Sequence, residues 1–121
     1  AGRPRVLVVD DDPPVLSVMT QQLQRLGCEA IGASSADAAL RLLLADQSFA
    51  LMLSDIDLGS GQDGFALARE ARRLKPSLRV LLTTGKLIDR GEADDHPPIL
   101  PKPFTQRDLA EKLREVLEHQ P

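Results

Sequence analysis

Apolar and polar positions along this chain switch repeatedly between two periods. Val6-Leu7-Val8-Val9 is a short continuous apolar run, which predicts a buried strand stopping at Asp10-Asp11-Asp12. Pro13-Pro14 suits a helix start, where a missing N–H costs nothing. Val15, Met19, Leu23 and Leu26 then fall on one helical face, and Gly27 is a natural stop. Cys28 to Ala33 reads as a second, less apolar strand at a sheet edge. Ser34-x-x-Asp37 has the form of a capping box, with Ala36, Ala39, Leu40 and Leu43 as the buried stripe of a second helix. Phe49 to Leu53 predicts a third strand ending at Ser54-Asp55. The stretch Ile56 to Asp63 reads as a loop broken by glycines. A third helix follows, with Phe65, Ala68, Ala71 and Leu74 inward and Pro76 as its stop. Arg79 to Thr83 is a fourth strand ending at Thr84-Gly85. Lys86 to Pro98 has poor helical periodicity. Ile99-Leu100 is a short fifth strand, and Thr105-x-x-Asp108 opens a last helix with Leu109, Leu113, Val116 and Leu117 on its core face.

Strands alternating with helices imply an α/β fold with a parallel sheet covered on both faces. In such sheets ligands bind beyond the carboxyl ends of the strands. Asp10, Asp11, Asp55, Thr84 and Lys102 all follow or end strands, so the fold would gather them on one edge. Carboxylates crowded together repel and recruit a cation. Hard oxygen ligands suit magnesium, which keeps waters and takes one or two carboxylates plus phosphate oxygens. A lysine and a hydroxyl beside them complete a set suited to phosphoryl transfer, whose transition state spreads negative charge over oxygens. A carboxylate can itself be the nucleophile.

Composition narrows this further. The 121 residues make one domain, 1–121, and the formal net charge of -3 argues against a nucleic-acid surface. A single cysteine, Cys28, cannot form an internal disulfide, which fits a reducing, cytoplasmic setting. No apolar run approaches membrane-spanning length, so no membrane insertion is expected. The Ala1-Gly2 start leaves room for a longer parent protein.

The motifs Val8-Val9-Asp10-Asp11, Leu53-Ser54-Asp55, Asp63-Gly64, Leu82-Thr83-Thr84-Gly85 and Lys102-Pro103-Phe104 arrive in an order, and over nearly the whole chain, that resembles the receiver domains of two-component signalling. Each is weak alone; together they are specific. The resemblance implies a doubly wound, flavodoxin-like five-stranded parallel sheet in the order 2-1-3-4-5. It implies that Asp55 accepts a phosphoryl group from the phosphohistidine of a histidine kinase or histidine phosphotransfer domain. Asp10, Asp11 and Asp55 would hold Mg2+, joined by the backbone carbonyl of Asp57. Thr84 would be the switch hydroxyl, Lys102 the phosphate-pairing lysine, and the Lys102–Pro103 peptide would be cis. The domain would be no independent enzyme but a signalling phosphoacceptor that assists its own phosphorylation and dephosphorylation. A homodimer is compatible with this.

Several features depart from the family pattern. The Ile56 to Asp63 loop is about one residue longer than usual, with Leu58-Gly59 where Met-Pro is frequent, and is expected to bulge while still delivering Asp57. The 86–98 stretch is short by about one helical turn, so a fourth helix would be short or degenerate. Ile99 occupies the place of the switch aromatic. This trimmed style resembles receivers attached to hybrid histidine kinases. Asp57 and Lys86, opposite in charge and each two residues past a site residue, are expected to pair and tune hydrolysis of the acyl phosphate.

Other readings of the same residues stand beside this one. Asp10-Asp11-Asp12 also suits a charged helix start, and for Asp12 a capping role is preferred. An EF-hand beginning at Asp55-x-Asp57 is rejected, since Ala66 stands where the final Glu belongs. A phosphatase with an Asp-x-Asp nucleophile pair also ends a parallel strand this way, but such enzymes usually carry a cap domain for which the chain has no room. A binding module that has lost phosphorylation is the third reading, and the intact acidic, threonine and lysine set speaks against it.

Overall fold

Apolar side chains in the strands split by parity. Val6 and Val8 of β1 (Arg5–Val9) pack in one core with Met19 and Leu23 of α1 (Pro13–Arg25) and with Leu109, Leu113 and Val116 of α4 (Gln106–Glu118). Leu7 and Val9 pack in the other, with Ala39 and Leu43 of α2 (Ala36–Ala45) and Leu67, Ala68 and Ala71 of α3 (Gly64–Leu74). This is the period-two alternation of a strand buried on both faces. The computed structural model describes residues 3–59, 61–85 and 97–118.

The other strands are β2 (Glu29–Ala33), β3 (Phe49–Asp55), β4 (Arg79–Thr84) and β5 (Ile99–Pro101). All pairs are parallel, in the order β2-β1-β3-β4-β5. The expected order is therefore the observed one, with β2 at the edge. Registers Val9↔Ser54, Asp55↔Thr83 and Thr84↔Pro101 align the carboxyl ends of the four strands that carry the candidate residues. The expectation of a short fourth helix falls on residues 86–96, outside the described ones; Pro97 and Pro98 enter β5 without regular structure.

The helix starts partly follow the sequence reading. Thr105 and Asp108 form the reciprocal box: the Asp108 N–H donates to Thr105 Oγ1 and the Thr105 N–H to Asp108 Oδ2, each at 3.0 Å. The cap of α2 is one residue later than expected. Ser35, not Ser34, is extended at the N-cap and accepts from the Ala38 N–H at 3.1 Å. Two adjacent serines offer the same chemistry, and the register in which Ala39 and Leu43 reach the core selects between them. Asp12 does occupy the N-cap of α1, but its side chain makes no cap bond. Its N–H instead donates to Asp10 Oδ1 at 3.0 Å. Among the described residues no helix is long and apolar enough to cross a membrane.

Candidate functional site

Because Val9 pairs with Ser54, the next residues of β1 and β3, Asp10 and Asp55, stand side by side at the sheet's carboxyl edge. Asp10 is 1% exposed, and Asp11 is exposed. One carboxylate oxygen from each of Asp10, Asp11 and Asp55 lies within 4.8 Å of the others. Lys102 leans over them, with Nζ 3.5 Å from Asp10 Oδ2 and 3.7 Å from Asp55 Oδ1. Its backbone is anchored by a 2.7 Å hydrogen bond from the Lys102 N–H to the Thr84 carbonyl, and the Lys102–Pro103 peptide is cis as the family resemblance implied. Thr84, 5% exposed, ends β4 beside them. The structure thus brings Asp10, Asp11 and Asp55 together under Lys102, with Thr84 at the same edge.

Burial pushes the Asp55 carboxyl above its ordinary value. Lys102 opposes this by favouring the anion, and the Ile56 N–H helps it, while the charges of Asp10 and Asp57 push the other way. Lys102 alone therefore does not offset the cost of the crowded carboxylates. A small divalent cation bound among their oxygens would. The donor set is all hard oxygen, which fits magnesium rather than a soft-ligand metal.

The long loop after β3 closes on itself. Leu58 N–H donates to the Gln62 carbonyl (3.2 Å) and Gln62 N–H to the Gly59 carbonyl (2.8 Å), while Asp57 and Asp63 pair as an isolated antiparallel bridge. The expected bulge takes the form of this small hairpin. Leu58 at its base is 3% exposed and joins the core, a burial the loop reading of 56–63 missed. Asp57 is exposed, and its Oδ1 accepts from the Gly59 N–H at 3.2 Å. Its expected partner Lys86 lies outside the described residues. Gly64 has a role that the Asp63-Gly64 motif did not reveal by itself. A Cβ there would lie 2.5 Å from the Asp55 carbonyl oxygen and 2.9 Å from Ile56 Cα, so α3 sits directly against the backbone that presents Asp55. Ile99, in the place of the family's aromatic, is buried at 6% exposure.

Residues 6–114 match the family model of the response regulator receiver domain. The chain belongs to this family. It is 28% identical over 117 residues to the response regulator receiver protein CpdR of Brucella abortus (strain 2308), a match covering 93% of this chain and 96% of that protein. Among solved structures, the receiver domain of the hybrid histidine kinase CckA is 28% identical with a TM-score of 0.79, covering 94% of this chain and 99% of that one. The response regulator TrrA of Thermotoga maritima, solved in complex with Mg(2+)-BeF, is also 28% identical, with a TM-score of 0.81 and coverage of 94% and 99%. This receiver is thus a two-component signalling domain with an acidic pocket of the kind suited to Mg2+.

Proposed function

We propose that this receiver accepts a phosphoryl group from a partner's phosphohistidine onto Asp55, in a Mg2+-dependent reaction, and signals by the conformational change that follows. The observation that carries this reading is the meeting of the Asp10, Asp11 and Asp55 carboxylates beneath Lys102. Asp10, Asp11 and Asp55, with the Asp57 carbonyl, are the residues that would hold the ion. When bound, it supplies neutralisation of the negative charge that builds on phosphoryl oxygens.

The chain's own residues do the rest. An Asp55 carboxylate oxygen attacks phosphorus in line. The bond from phosphorus to the imidazole nitrogen breaks, its electron pair stays on nitrogen, and that nitrogen takes a proton from solvent. Lys102 exchanges its pairing with Asp55 for pairing with the new phosphoryl oxygens. The Thr84 hydroxyl donates to another oxygen, and the pull on β4 begins the switch. With Ile99 in place of an aromatic, that shift is read by another route than ring rotation.

A histidine donor must approach the carboxyl edge, and an apolar groove lies beside it. Pro14, Val15 and Val18 of α1 face Pro103 and Phe104 across a groove of about 590 Å³ that also reaches Gly85 and Lys102. Val18 is 54% exposed, so this surface suits the apolar helix face of a histidine kinase or phosphotransfer domain. The likeness to the CckA receiver supports a hybrid kinase as one parent architecture, and a reducing cytoplasmic setting suits the single buried Cys28. The domain turns over no independent substrate.

Intact-mass measurement after incubation with acetyl phosphate tests the reading. One phosphoryl group is expected with Mg2+, none in chelator, and none for Asp55→Asn. Incorporation into Asp55→Asn, or incorporation independent of Mg2+, would sink it.

A further inference from the structure

Asp11 is the least restrained of the three clustered carboxylates. It is exposed and, among the described residues, makes no hydrogen bond or ion pair that would fix its rotamer. Yet its Oδ2 points into the 56–63 hairpin, where a Cβ on Gly59 would lie 2.5 Å from Asp11 Oδ2 and 3.4 Å from Asp11 Cγ. Among the described residues, Gly59 and its chain neighbours aside, no other heavy atom comes within 4 Å of that position. Gly59 also has a φ of +74°, a conformation open to glycine and costly for side-chain residues.

The hairpin cannot easily retreat. Its strands are tied by the Leu58 N–H to Gln62 and Gln62 N–H to Gly59 hydrogen bonds, and Leu58 is embedded in the core. Gln62 Oε1 accepts from the Ala36 N–H at 3.3 Å, which fastens the tip side of the loop to the start of α2. The short, exposed Asp11 side chain is the member that would yield.

We infer that Gly59 is a positioning residue for the metal site: the bare backbone of the fastened hairpin leaves the space that lets Asp11 aim its carboxylate at Asp10 and Asp55. The inference rests on the proposed Mg2+ role of these three residues. A side chain at 59 turns Asp11 away, and the site falls from three carboxylates to two. The fold is retained, because the displaced atoms are the end of an exposed side chain. Outer partners that orient ligands typically change metal affinity by about 10–100-fold.

Gly61 supplies the control. Its φ is +75°, matching that of Gly59, but a Cβ there meets nothing within 4 Å. Calorimetric titration with MgCl2 is expected to show Gly59→Ala binding at least tenfold more weakly than wild type, and Gly61→Ala binding near wild type. Thermal unfolding in chelator is expected to be lowered similarly in both. In an Asp11→Ala background, adding Gly59→Ala should weaken Mg2+ no further, and this double variant also serves if Gly59→Ala alone folds poorly. Equal Mg2+ affinity for the two glycine variants would overturn the inference while leaving the metal reading intact. Wild-type binding that is absent, or unaffected by Asp11→Ala, would overturn the metal reading and this inference with it.

Discussion

The two edges of the sheet use the same charges to opposite ends. At the amino edge, the Arg5 guanidinium pairs with Glu29 and, at 2.6 Å, with Asp46, and lies 5.1 Å from the Phe49 ring centre. There Asp46 is held below the ordinary carboxylate range, chiefly by hydrogen bonds from the Ser48 hydroxyl and N–H and, less, by Arg5. At the carboxyl edge, Asp10 and Asp55 share Lys102, whose contacts of 3.5 and 3.7 Å are looser, Asp11 clusters beside them, and Asp55 is pushed up. At one edge the carboxylates are each paired with the guanidinium. The other carries surplus negative charge that a bound cation, a proton or a change of covalent state relieves, and perturbed groups of that kind mark working sites.

Lys102→Ala should break the contrast most sharply. Losing one preorganised charge partner costs about 2.7–4 kcal/mol of transition-state stabilisation, a hundredfold or more in rate. The rate of phosphoryl incorporation from acetyl phosphate measures it, and a change under threefold would remove Lys102 from the chemistry.

Arg5→Ala should act in reverse, lowering thermal stability with phosphorylation unchanged. Loss of its contact with the Phe49 ring alone is worth about 0.5–1 kcal/mol. Chemical denaturation reads the loss, and a concurrent fall in phosphorylation would show that the two edges are coupled.

Asp55→Asn is expected to stabilise the metal-free domain by a few degrees in Tm, since it deletes a charge whose burial is unfavourable. The matching substitution at the amino edge, Asp46→Asn, is expected to lower Tm instead. If both move Tm the same way, the contrast fails.

The smallest effect is on pH dependence. A carboxyl whose folded pKa is raised binds more protons folded than unfolded between the two values. Metal-free stability therefore falls as pH rises through that window, from the ordinary carboxylate value up to the folded one, as far as Asp55 contributes. Mg2+ competes with the same proton, so its affinity should weaken as pH falls through the folded value. Titrations at several pH values, with Asp55→Asn as the reference, isolate the contribution.

Much of this edge was legible in the sequence because strand ends announce themselves. The apolar run Val6-Leu7-Val8-Val9 ends at Asp10, Phe49 to Leu53 runs out at Ser54-Asp55, and the parallel topology then dictates that the two aspartates are neighbours. What stayed hidden depended on contacts between distant segments. Ser34 and Ser35 are equivalent until packing of α2 sets the register. Leu58 looks like a loop residue until its loop folds onto the core. Leu67 was passed over on α3, where Leu74 was expected inward and is only half-buried. Gly59 reads as a turn residue, and nothing local reports that Asp11, far earlier in the chain, comes to rest against it.

The parallel pairing that unites Asp10, Asp55 and Lys102 also sets when the site can first exist. Its members are spread over 92 positions, from the end of β1 to the residue after β5. During synthesis, a nascent chain released only as far as Asp55 offers the proposed acceptor without its lysine. Under the proposed function, full reactivity toward a phosphoryl donor is expected only once β5 has emerged and docked, so labelling of Asp55 on stalled ribosomes would serve as a clock for completion of the fold.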